Sequence, residues 1–196
     1  MTHRVVLATH NTHKVEELRR ILGPSLDGLE LVAYDGPEPI EDGDTFEANA
    51  LIKARAAAAH TGLPAIADDS GISVDALDGA PGIHSARYAG TRVDTDNVAL
   101  LLGNLADNVE RAAQFVCAAA FVDGSFEHVV RGEWSGTVLH EAVGGGGFGY
   151  DPIFKPDGLS VSAAELRPDE KNAISHRAIA FGLLMPALRG RLVEPE

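Results

Sequence analysis

The chain has 196 residues, 45% hydrophobic and 23% charged, close to the averages of soluble globular proteins, and this length favours one domain over residues 1–196. Its formal charge of −13, from 16 basic and 29 acidic residues, disfavours sequence-independent binding to a nucleic-acid backbone and requires any anionic ligand to meet a local cationic pocket or a metal. The single cysteine, Cys117, excludes an intrachain disulfide and a cysteine-rich zinc site, and apolar runs such as Val5 to Ala8 are too short to span a membrane or to form the core of a secretory signal, so a cytoplasmic protein is expected.

Val5 to Ala8 reads as a buried strand, followed by a polar turn and a helix with Val15, Leu18 and Ile21/Leu22 on one face, ended by Gly23-Pro24. Leu29 to Ala33 predicts a second strand and Asp35 to Asp44 a Pro-rich acidic loop. Asp44-Thr45-Phe46-Glu47 has capping-box spacing before an Ala-rich helix from Phe46 to His60, which stops at Gly62-Leu63-Pro64. Ala65-Ile66-Ala67 predicts a short strand running into a turn at Asp68-Asp69-Ser70-Gly71, after which Ile72-Ser73-Val74 resumes extended structure. A loop rich in Gly, Pro and Ser covers Gly79 to Gly90, before a helix near Thr95 to Leu105. Two apolar strands flank the hairpin signal Asp123-Gly124, with Trp134 expected on a third. Gly144 to Gly147 introduce Phe148-Gly149-Tyr150-Asp151-Pro152. Ser162-Ala163-Ala164-Glu165 can cap a short helix, and Ile174 to Leu188 predicts a longer one, bent or ended at Pro186. Strands separated by helices early in the chain and consecutive strands in the middle argue for an α/β fold with a mixed sheet.

Several groups could carry chemistry. Thr9-His10-Asn11-Thr12-His13-Lys14 joins a strand to a helix, where backbone N–H groups and Lys14 attract phosphate, although the Walker A pattern is absent and a simple helix cap fits the same residues. Asp68 and Asp69 follow a buried strand, and burying two adjacent anions is unfavourable unless a cation or several donors compensate them, which for oxygen ligands points to Mg²⁺ or Mn²⁺, although an Asx turn followed by glycine fits the same residues. Among the acidic loop residues Glu38, Glu41, Asp42 and Asp44, Asp44 has a capping role and one of the others can complete a metal site. Asn49 and Lys53 share a helix face. The glycines before Phe148 allow close backbone approach, with Phe148 or Tyr150 as a stacking face. Glu170 to Arg177 combine a helix start with the donors Lys171, His176 and Arg177, cations that oppose the helix dipole unless an anion or ligand is near.

Together these strings resemble the inosine triphosphate pyrophosphatase family of non-canonical purine (dITP/XTP) pyrophosphatases nearly end to end. The resemblance is carried by Leu7-Ala8-Thr9-x-Asn11-x-x-Lys14, Thr45-Phe46-Glu47-x-Asn49-Ala50-x-x-Lys53-Ala54, Ala67-Asp68-Asp69-Ser70-Gly71, Pro81-Gly82-Ile83-x-Ser85-Ala86-Arg87-Tyr88, Gly147-Phe148-Gly149-Tyr150-Asp151-Pro152 and Ser175-His176-Arg177. It implies an elongated mixed sheet flanked by helices, two lobes around a central cleft, a homodimer, and Mg²⁺-dependent hydrolysis of dITP, ITP and XTP to the monophosphate and pyrophosphate. It further implies that Thr9 to Lys14 and Lys53 hold the phosphates and that Glu41 and Asp69 hold Mg²⁺. Asp69 would serve as general base with Asp68 in support, Ser70 would touch the substrate, and Phe148 to Asp151, Lys171, His176 and Arg177 would surround base and sugar. His10 and His13 stand where the family often carries smaller residues, and Ile40-Glu41-Asp42-Gly43 departs from its usual pair of glutamates, which leaves Asp42 as a substitute ligand. A related house-cleaning pyrophosphatase for other modified nucleotides and a non-hydrolysing nucleotide sensor are the alternative readings.

Overall fold

The computed structural model describes residues 2–193, so Met1 and residues 194–196, the ends of the expected domain, lie outside the described residues. Six strands form one mixed sheet in the order β2-β1-β3-β4-β5-β6. The strands are β1 (His3–Leu7), β2 (Leu29–Ala33), β3 (Ala65–Val74), β4 (Ala112–Asp123), β5 (Phe126–Val138) and β6 (Phe154–Pro156). The helices are α1 (Thr12–Leu22), α2 (Phe46–Thr61), α3 (Asp94–Asn104), α4 (Pro168–Ile174) and α5 (His176–Leu192). β1 pairs in parallel with β2 and with β3, whereas β5 and β6 are antiparallel. The chain divides into two units, Met1–Asp69 with Cys117–Gly132 and Arg177–Glu196, and Ser70–Val116 with Glu133–His176.

In the first unit Val5, Val6 and Leu7 are all buried, as a parallel strand covered on both faces requires. Its core joins Val5, Leu7 and Ile66 to Leu18 and Leu22 of α1, Phe121 of β4, and Phe181, Leu184 and Leu188 of α5. The expectation that α5 bends or ends at Pro186 is corrected, because the helix continues to Leu192. Met185 and Leu188 anchor it in the core on both sides of the proline, and their burial outweighs one missing backbone bond. The helix also starts at His176 rather than Ile174. A separate helix, α4, ends there, and Ser175 between them is extended at φ −70, ψ 162. At α2 the side-chain cap is Thr45, whose hydroxyl accepts from Ala48 N–H at 3.1 Å, and not Asp44.

The second unit is centred on Ile72, Leu101, Phe115, Trp134, Ile153 and Phe154. Trp134 lies on β5 itself, so the expected third strand does not exist as a separate element. Gly132, Trp134, Gly136 and Val138 alternate strictly with more exposed neighbours, the period-two pattern that lets one strand run uninterrupted. β3 gives the larger correction. Asp68-Asp69-Ser70-Gly71 is not a turn but the middle of a ten-residue strand in which only Ser70 is less than buried.

Candidate active site

In the first unit the segment after β1 is folded by its own side chains. Thr9 Oγ1 accepts from Asn11 N–H at 3.2 Å, and Asn11 Oδ1 caps α1 by accepting from Lys14 N–H at 3.2 Å. Lys14 can therefore extend from the first turn, and its Nζ reaches Asp68 Oδ2 at 3.0 Å. The same oxygen accepts from Arg177 Nε at 3.3 Å, and Arg177 Nη1 donates to Glu17 Oε2 at 2.6 Å. Glu17 lies one turn beyond Lys14 on the same face of α1 and is buried.

Successive strand residues point to opposite faces, and Asp69 accordingly has a different cation. Lys53 Nζ donates to Asp69 Oδ1 at 2.8 Å and to Glu41 Oε2 at 3.0 Å. Glu41 belongs to the acidic loop, which is held against α2 by a bond from Gly43 N–H to Asn49 Oδ1 at 2.9 Å. Gly43 permits that approach, since a Cβ there would come within 2.7 Å of the Ala48 methyl. Asn49 and Lys53, four residues apart, thus place the loop and meet its carboxylate. Asp42 and Asp44 are exposed, and Glu38 faces His10 Nδ1 at 3.6 Å. His13 and Thr12 are exposed on the first turn of α1.

Among the described residues this cluster brings four carboxylates, Glu17, Glu41, Asp68 and Asp69, against three cations, Lys14, Lys53 and Arg177. Burial alone would raise the Asp68 carboxyl, but Lys14 and Arg177 hold it well below the usual carboxylate range. For Asp69 burial prevails over Lys53 and Lys14, with Glu41 adding repulsion, and its pKa is raised. Burial would lower Lys53, yet Asp69, Asp68 and Glu41 outweigh it and the ammonium is stabilised. Asp69 Oδ2 and Asp68 Oδ1 are buried and have no hydrogen-bond partner among the described residues. A buried carboxylate oxygen of Asp69 beside the glutamate Glu41, in a cluster with one excess negative charge, fits a hard divalent cation.

In the second unit Asp151 organises the glycine-rich segment. Its Oδ2 accepts from Phe148 N–H at 2.9 Å and from Lys171 Nζ at 2.6 Å. A Cβ on Gly147, which has φ +68, would collide with the same oxygen, so this position must be glycine. Lys171 Nζ also stands 5.1 Å from the centroid of the Phe148 ring. Tyr150 does not offer a stacking face, since its ring is buried in the core and its hydroxyl donates to Ser85 O at 2.8 Å. Phe148 is the more accessible ring of the pair. Gly149 N–H donates to Asp94 Oδ2 at 2.7 Å. His176 is buried and stacks on Phe115, ring centroids 4.8 Å apart and planes 13° apart. Ser70 follows Asp69 on β3 and is half-buried.

Sequence reasoning missed Glu17 and Asp94. Glu17 carried a signal, a carboxylate beside Leu18 on the buried side of an amphipathic helix and one turn from Lys14. Asp94 carried none, because an acidic residue at the start of α3 is an ordinary helix-end choice.

Comparison with known proteins adds an independent line. The model of the Ham1 family matches residues 5–187. A dITP/XTP pyrophosphatase of Leifsonia xyli subsp. xyli is 59% identical over 190 residues, 95% of this chain and 96% of its own length. One of Mycobacterium tuberculosis is 52% identical over 194 residues, covering 95% of each chain. Among solved structures, a HAM1 protein from Coxiella burnetii superposes with TM-score 0.87 at 41% identity, over 95% of this chain and 98% of that one. A nucleoside-triphosphatase / dITP/XTP pyrophosphatase from Mycobacterium abscessus gives TM-score 0.76 at 47% identity, over 95% and 100%.

Proposed function

Because this chain belongs to the Ham1 family, we propose that it hydrolyses non-canonical purine nucleoside triphosphates, dITP, ITP and XTP, to the monophosphate and pyrophosphate. The observation that carries the reading is the buried Asp69, joined through Lys53 to Glu41 and left with one carboxylate oxygen without a partner among the described residues. Glu41 and Asp69 would hold Mg²⁺, for which Mn²⁺ can substitute, and the ion would supply charge neutralisation and a more acidic water. The segment from Thr9 to Lys14 and the ammonium of Lys53 hold the phosphates. Asp69 accepts the proton of the attacking water, for which its second carboxylate oxygen, buried and without a partner among the described residues, is available. Asp68 supports Lys14 through its Oδ2 while Ser70 contacts substrate. Phe148 to Asp151, Lys171, His176 and Arg177 form the surroundings of base and sugar, with Phe148 as the stacking ring. In this reading Arg177 acts at least in part through Asp68, one of the carboxylates its guanidinium meets.

Selection against adenine follows from chemistry. Donors that satisfy a 6-oxo group leave the 6-amino group of adenine facing another donor, a buried mismatch costing a factor of about 10⁴ or more in recognition. The same reading takes residues 1–196 as one catalytic domain, active as a cytoplasmic homodimer. Light scattering tests the dimer.

The decisive experiment measures pyrophosphate and orthophosphate release from dITP, XTP, dATP and dGTP with and without Mg²⁺. Pyrophosphate from dITP and XTP, much faster than from dATP or dGTP and only with the metal, is expected. Equal turnover of all four purines would refute the specificity, and orthophosphate as the first product would refute the bond cleaved.

A further inference from the structure

We propose that Asp94 is a positioning residue for the base-facing segment, fixing the Phe148-Gly149 peptide so that the Phe148 ring is presented in one orientation. The proposal rests on the reading of Phe148 to Asp151 given above. Two successive backbone donors in this segment are taken by two carboxylates from different parts of the second unit. Phe148 N–H goes to Asp151 Oδ2 at 2.9 Å and Gly149 N–H to Asp94 Oδ2 at 2.7 Å. Asp151 is buried and locked by Lys171, so it holds the segment from within. Asp94 is exposed and holds it from outside.

Gly149 is where such a restraint is needed. It has φ +62, and a Cβ built there would meet nothing within 4 Å, while the carbonyl side of its peptide is held only by a long turn bond from Asp151 N–H to Phe148 O at 3.3 Å. A glycine in open space can adopt left- and right-handed conformations, and an exchange would turn the peptide that carries Phe148. The short bond to an ionised acceptor removes that freedom.

Asp94 itself sits on a firm base. It is the first residue of α3, and the chain around it is tied down by Thr91 Oγ1 to Asp96 Oδ2 at 2.9 Å, Ala89 N–H to Asn97 Oδ1 at 2.8 Å and Asn97 Nδ2 to Ala86 O at 3.3 Å. A site residue is held well only when its support is itself ordered, and the start of α3 meets that condition.

The test compares Asp94→Ala with Asp94→Asn, because the asparagine Oδ1 can accept the same bond without the charge. Steady-state kinetics with dITP and hydrogen exchange of the Gly149 amide are measured on each full-length protein. Asp94→Ala is expected to raise KM about 10-fold, the low end of what a bond to a charged group supports, with kcat within about 2-fold and the Gly149 amide unprotected. Asp94→Asn should return KM to within about 3-fold of wild type and restore protection. An unchanged KM in Asp94→Ala despite faster exchange would overturn the proposal, as would Asp94→Asn failing as badly as Asp94→Ala. If the wild type released no pyrophosphate, the functional reading would fail, and equilibrium binding of dITP would decide the role of Asp94 instead. Weaker binding by Asp94→Ala would sustain it, and equal or absent binding would overturn it.

Discussion

Asp68 and Asp69 are neighbours on β3, yet Asp68 is neutralised by Lys14 and Arg177 while Asp69 is neutralised by Lys53. Each keeps one buried oxygen without a partner among the described residues, but Asp68 is tied to two cations and faces away from Glu41, whereas Asp69 shares Lys53 with it. Their substitutions should separate accordingly. Asp68→Asn strips a counter-charge from the buried Arg177 and the half-buried Lys14 and should cost about 3 kcal/mol of stability. Asp69→Asn leaves Lys53 its bond to Glu41, so stability should fall less, while pyrophosphate release drops at least about 10²-fold. Urea denaturation and turnover of both variants check the pair, and equal stability losses would contradict the division of roles.

Asp68 also sets a pH dependence whose sign is fixed. Its folded pKa is lowered because Lys14 and Arg177 overcome the cost of burial. Below about pH 4 the unfolded chain takes up a proton at this residue and the folded protein does not. The stabilisation is therefore complete above that value and is lost as pH falls through the folded pKa, at about 1.4 kcal/mol per pH unit. Denaturation curves from about pH 5 down to about pH 2.5 should show a shallower slope in Asp68→Asn than in the wild type. Superimposable slopes would mean that Asp68 is not the source.

Spacing alone leaves Glu38, Glu41 and Asp42 as equivalent acids, and only the family resemblance points to Glu41. What sets Glu41 apart physically is the Gly43 to Asn49 bond, which lays the loop on α2 beside Lys53. If Glu41 and Asp69 hold the metal, Mg²⁺ should raise the unfolding temperature of the metal-free protein, with about 2.7 kcal/mol gained at a hundredfold excess over Kd. Glu41→Gln should shift the Mg²⁺ concentration needed by at least about 10-fold, and Asp42→Asn should leave it unchanged. The reverse outcome would transfer the role to Asp42.

Local signals in the sequence located most elements, because strand-length apolar runs, the α2 helix with Gly62 at its end, and the Ser162–Glu165 capping box each depend on residues close in the chain. They failed where a long-range partner decides. Asp68 to Gly71 have the composition of a turn, and they stay extended because β3 lies between β1 and β4 and distant lysines and an arginine neutralise the carboxylates. Tyr150 reads as a ligand-facing aromatic, and only the carbonyl of Ser85, 65 residues away, shows that it belongs to the core. Pairings of Lys14 with Asp68 and of Arg177 with Glu17 span 54 and 160 residues, which no periodicity encodes.

The glycines at 147 and 149 allow a final comparison, since both have left-handed backbones but different surroundings. At Gly149, with φ +62 and open space, an alanine meets only the backbone penalty of about 1–2 kcal/mol. At Gly147, with φ +68, the added methyl must also displace Asp151 Oδ2, which holds both Phe148 N–H and Lys171 Nζ. Displacing it takes from the buried ammonium a carboxylate oxygen at 2.6 Å, so Gly147→Ala should lose at least about 2 kcal/mol more than Gly149→Ala. It should also raise KM for dITP, because the Phe148 ring loses both its amide anchor and the ammonium beside it. Denaturation of the two variants side by side, with KM for each, measures this. If the two lose equal stability, Asp151 moves aside at no cost and is not the centre on which this segment is built.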